Sequence, residues 1–65
     1  MDIRDVIAKK RENKELTKNE IEYFVREYTN GNIPDYQAAA LIMAICIQGM
    51  TEEEIKNLTI SMAES

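Results

Sequence analysis

The sequence predicts an all-α fold, a small bundle of four helices at about residues 2–12, 17–29, 34–48 and 51–64. Apolar residues recur at helical spacing, no stretch alternates in the manner of a strand, and helix-start and helix-stop signals fall at regular intervals. A chain of 65 residues holds one such domain, since at this size only about 60% of the unfolded surface is buried. Its 45% apolar and 31% charged residues are ordinary for a folded domain.

In helix 1, Ile3, Val6 and Ile7 share one face, while Arg4, Lys9 and Lys10 are expected to point elsewhere. The polar stretch Glu12–Glu15 ends this helix. Thr17 then opens helix 2 as N-cap, Glu20 completes a capping box, and Leu16 with Ile21 forms a hydrophobic staple. Ile21, Phe24, Val25 and Tyr28 form one stripe predicted to face the core, and Gly31 supplies a left-handed C-cap. Pro34 suits the start of helix 3 because it lacks the amide hydrogen left unsatisfied there, and Asp35 caps that end or complements its positive dipole. Gly49 stops helix 3. Thr51 with Glu54 repeats the capping box and Met50 with Ile55 the staple, so helix 4 runs from Glu52 through Leu58 and Met62.

Helix 3 is the most informative element, because Ala38–Ile47 is apolar all the way round. Two roles fit such a helix. It is the central core helix, its small alanine face admitting close neighbours, or one face packs inside while the other meets a second subunit or a further domain. Three short helices cannot surround it, which favours the second role.

Inventory excludes much chemistry. There is no His, and Cys46 is alone, so a His/Cys metal site, a Ser-His or Cys-His pair and an internal disulfide are ruled out within these residues. Cys46 is expected to be a small buried hydrophobe. Glu52, Glu53 and Glu54 are read as first-turn acids favoured by the helix dipole rather than as a metal cluster. Lys9, Lys10, Arg11, Lys14 and Lys18 form a basic patch interleaved with Glu12 and Glu15, expected to be a solvated face. Tyr23, Tyr28 and Tyr36 are expected to be half buried.

The net charge of −4 argues against a nucleic-acid partner. Charge is uneven: residues 1–33 hold seven of eight basic residues against seven acids, and residues 34–65 hold Lys56 against five. The ten-residue apolar run is about half of the ~20 residues a bilayer-spanning helix needs, so no membrane span is expected and the location is read as cytoplasmic.

Several segments resemble a known family: the opening Lys10–Ile21, the turn Tyr28–Gln37, the helix Ala39–Ile45, the cap Gly49–Glu54 and the ending Leu58–Ser65. Together they are similar to the N-terminal helical domain of pyrimidine-nucleoside phosphorylases and thymidine phosphorylases. Anthranilate phosphoribosyltransferase has a related domain sharing fewer of these features, and a free-standing helical interaction module is the remaining alternative. The resemblance implies a homodimeric enzyme in which this small domain packs against a large α/β domain and closes over a cleft. It further implies phosphate as co-substrate, with phosphate- and pyrimidine-binding residues outside residues 1–65. Accordingly no catalytic, cofactor-binding or metal-binding residue is assigned here, and helix 3 is the candidate dimer interface.

Overall fold

Each helix begins and ends where local chemistry satisfies the backbone. The computed structural model describes residues 1–64 and contains α1 (Ile3–Arg11), α2 (Lys18–Thr29), α3 (Asp35–Gln48) and α4 (Glu52–Glu64), with no strand among the described residues. Ser65, the last residue of the ending motif, lies outside them. The Asp2 carboxylate accepts from the Arg4 amide and caps α1. The predicted capping box at Thr17 and Glu20 is complete. At α4 the Thr51 hydroxyl accepts from the Glu54 amide, and the Glu54 carboxylate accepts from the Thr51 amide. Pro34 occupies the N-cap position of α3, but Asp35 makes no capping bond; its carboxylate instead accepts from the Tyr28 hydroxyl at 3.1 Å.

The helix ends are equally explicit. Gly31 adopts φ +78°, the Gly31 amide donates to the Tyr28 carbonyl and the Asn32 amide to the Glu27 carbonyl, the paired bonds of a Schellman cap. The same pair closes α1, where Asn13 takes the left-handed conformation at φ 62° and the Asn13 and Lys14 amides reach the Lys10 and Lys9 carbonyls. Asparagine is the residue other than glycine that visits this region most readily. Gly49 sits at φ 81°, ψ 178°, which is essentially restricted to glycine.

The helices pack in two pairs, α1 on α3 and α2 on α4. The core is a single cluster: Ile3, Val6 and Ile7 from α1, Leu16 and Ile21 at the α2 start, Ile33 from the following connection, and Ala38 and Leu41 from α3, with Tyr23, Phe24, Ile45 and Leu58 against it. The bundle measures 27 × 24 × 19 Å, so its short dimension holds about two helix layers at 8–10 Å spacing. No helix is surrounded, and the central-helix role for α3 is overturned.

Other expectations are corrected by burial. Lys10 is buried rather than solvated, because it continues the Ile3, Val6, Ile7 spacing one turn further along the same face. Cys46 is exposed, since it lies on the side of α3 away from Ala38, Leu41 and Ala44. The α2 stripe buries Ile21 and Val25, but Tyr28 emerges at the helix end, stacked on Phe24 at 5.9 Å. Of the other tyrosines, Tyr23 is half buried with the Arg26 guanidinium 6.0 Å from its ring centre, and Tyr36 is exposed. Ile55 is half exposed, so the second staple does not reach the core.

Candidate functional site

Two features stand out, one charged and buried, the other apolar and exposed. The charged one gathers the α1 end, the α1–α2 connection and the α4 start around the Glu54 carboxylate. The Lys10 ammonium donates to both carboxylate oxygens at 2.9 and 3.0 Å, the Leu16 amide donates at 2.7 Å and the Thr51 amide at 2.8 Å. Both charged side chains are almost wholly out of water, at 3% and 0% exposure. Burial pushes the Glu54 carboxyl up, but the Leu16 amide, the Lys10 ammonium and the Thr51 amide together outweigh it and hold the carboxyl below its ordinary value. The Thr51 hydroxyl donates to Glu15, and the Gln48 side-chain amide donates to the Arg11 carbonyl, tying the α3 end into the same cluster.

A parallel bond lies beside it. Lys9 donates at 2.8 Å to Glu20, the capping-box glutamate of α2. Consecutive lysines at the end of α1 therefore neutralise the capping glutamates of two different helices. Glu20 behaves as Glu54 does: partial burial raises its carboxyl, and the bonds from Lys9 and Thr17 bring it below the ordinary value. Of the expected basic patch, Lys14 pairs with Glu12 at the surface, and Glu52 and Glu53 are the exposed first-turn acids the sequence predicts. Every buried side-chain polar atom among the described residues has a partner.

The apolar feature is the outer face of α3. Ala38, Leu41 and Ala44 point inward, leaving Tyr36, Ala39, Ala40, Ile42, Met43, Cys46 and Ile47 exposed. At 3.6 residues per turn these spread over roughly 160° of the helix surface. Ile42, Met43 and Ile47 are 51%, 60% and 72% exposed, and α3 carries no charge beyond Asp35. A face of this kind is broader than the singly scattered apolar residues ordinary on a protein surface. No group of three His, Cys, Asp or Glu residues among those described is placed to hold a metal ion, and no helix is long and apolar enough to cross a membrane.

The fold is a small helical bundle whose α3 carries an exposed apolar outer face. The chain belongs to the glycosyl transferase family, whose helical bundle domain matches residues 4–65. It is 57% identical over 61 residues to a pyrimidine-nucleoside phosphorylase of Staphylococcus epidermidis, and 54% and 52% identical to proteins of that name from Bacillus subtilis and Geobacillus stearothermophilus. Each match covers 94% of this chain and 14% of the relative. The chain thus spans about one seventh of the length of the curated relatives it matches.

Proposed function

We propose that residues 1–65 form the N-terminal helical domain of a pyrimidine-nucleoside phosphorylase. The whole protein would cleave uridine or thymidine with inorganic phosphate, releasing the base and the pentose 1-phosphate. The observation that carries this is identity above 50% across 94% of the chain to several relatives of that name. Catalytic, phosphate-binding and nucleoside-binding groups are assigned to the rest of the protein.

The role of this segment is assembly and closure. The exposed face of α3 is read as the contact with a second subunit, and the bundle as the movable wall of a cleft shared with an α/β domain. Closure of such a wall contributes by positioning phosphate and excluding water around a cation-like transition state. A cytoplasmic location fits an enzyme of nucleoside metabolism. The test is phosphate-dependent release of uracil from uridine, or thymine from thymidine, by the complete gene product. Release that vanishes without phosphate is expected; a complete product inert toward both nucleosides overturns the assignment.

A further inference from the structure

The corner between α2 and α3 combines a reactive dipeptide with a helix cap built on it. Asn30 is followed by Gly31, and both are exposed. A glycine in that position leaves the asparagine side chain open to attack by the next peptide nitrogen, because no Cβ shields it. The other asparagines, Asn13, Asn19, Asn32 and Asn57, precede Lys14, Glu20, Ile33 and Leu58. Asn19 and Asn57 are also held inside helices, and the Asn32 side chain donates to Glu27. At Asn30 the backbone lies at φ −81°, ψ 1°. The Gly31 amide donates to the Tyr28 carbonyl at 3.1 Å, and the Asn32 amide to the Glu27 carbonyl at 2.8 Å. Ile33, the next residue, belongs to the buried core, and the Tyr28 hydroxyl bridges the corner to Asp35.

We propose that Asn30–Gly31 is a self-modification site at which Asn30 is converted to aspartate or isoaspartate, at a rate set by the α2 cap and with loss of that cap. In the first step the Gly31 nitrogen forms a bond to Asn30 Cγ and the Cγ–Nδ2 bond breaks. The Gly31 amide proton passes to solvent, and the released nitrogen leaves as ammonia. Water then opens the cyclic imide at either carbonyl. One opening gives aspartate; the other gives isoaspartate, in which the main chain runs through the former side chain. Ring closure requires the Gly31 nitrogen to swing toward Cβ, about a third of a turn of ψ from its position in the fold, so the cap must open first. Either product weakens the cap it came from. A carboxylate at residue 30 sits at the negative end of the α2 dipole. Isoaspartate also adds a methylene to the main chain, which takes the Gly31 and Asn32 amides out of register with the Tyr28 and Glu27 carbonyls and loosens the anchor of Ile33.

Peptide mapping by mass spectrometry tests this on the complete gene product, aged in mildly alkaline buffer, with the same protein unfolded in guanidinium chloride beside it. Fragmentation separates Asn30 from Asn32. In the folded protein Asn30 should take on the mass of the acid at least about tenfold faster than Asn13, Asn19, Asn32 or Asn57, with isoaspartate among its products. Unfolding should accelerate conversion at Asn30 by a further factor on the order of ten or more, since the Gly31 nitrogen is then free of its cap. The converted fraction, separated by its added negative charge, should melt below the unconverted protein. Asn30→Asp, which carries the charge without the added methylene, should melt between the two. Conversion at Asn30 no faster than at the other asparagines in the folded protein would overturn the site. Equal rates in the folded and unfolded protein would overturn the control by the cap, and equal melting of the two fractions its loss on conversion.

Discussion

Lys10 and Glu54 carry the largest single-residue consequences. Breaking a buried ion pair by removing one partner costs about 3–5 kcal/mol, because the other charge is left without water or partner. Lys10→Ala is therefore expected to lower stability by about that amount, read from the midpoint of urea unfolding followed by helical circular dichroism. Replacing both residues by aliphatic ones often restores stability at a simple ion pair. Here Lys10→Met with Glu54→Leu should remain at least about 1–3 kcal/mol below wild type, since the Leu16 and Thr51 amides also lose their acceptor. Recovery to wild-type stability would show that the backbone bonds contribute nothing. Acid sensitivity has a definite sign. A carboxyl held below its ordinary value of 4.5 contributes stability that is fully present above that value and lost as pH falls through the lower folded-state value. Stability should fall steeply below about pH 4.5, and Glu54→Gln should flatten that fall. A variant as acid-sensitive as the wild type would place the effect on other carboxyls.

At the level of elements, the fold was legible because its punctuation is local. Thr17 with Glu20, Thr51 with Glu54, Gly31, Pro34 and Gly49 each act within a few residues, so the sequence locates the helix ends within one or two positions. What was not legible lies far apart in the chain. Lys10 and Glu54 are 44 residues apart, and helical spacing assigns a face but no partner. A signal was present all the same: Ile3, Val6, Ile7 and Lys10 fall at i, i+3, i+4 and i+7, so the lysine shares the inward stripe. Asn13 closes α1 in a left-handed cap that a polar run conceals. An apolar helix likewise does not tell which of its sides is inside, so the sequence puts Cys46 in the core and the fold puts it outside. The two glycine caps separate by backbone geometry alone, because an added Cβ meets nothing within 4 Å at either. Gly49→Ala, at φ 81° and ψ 178°, is expected to cost about 1–3 kcal/mol, and Gly31→Ala, in the ordinary left-handed region, about 1–2 kcal/mol. Thermal unfolding of the two variants side by side checks that order.

The whole molecule is thin, its core is a single cluster, and a fully apolar face of α3 remains outside. Covering a side chain such as Ile42, Met43 or Ile47 contributes roughly 1.5–3 kcal/mol when burial is complete. A matching surface on another subunit would therefore stabilise the bundle by an amount comparable to the total stability of a small domain, about 0.05–0.15 kcal/mol per residue. On the proposed function this face is buried in the complete gene product, against a second copy. Sedimentation velocity on the complete gene product, with Ile42→Glu and Ile47→Glu together, tests it most directly. Both side chains are exposed in the isolated bundle, so helicity should be retained and the thermal midpoint should move by no more than the usual surface effect. The wild type should sediment as a dimer and the double variant as a monomer. A monomeric wild type, or a variant that stays dimeric, would contradict the claim.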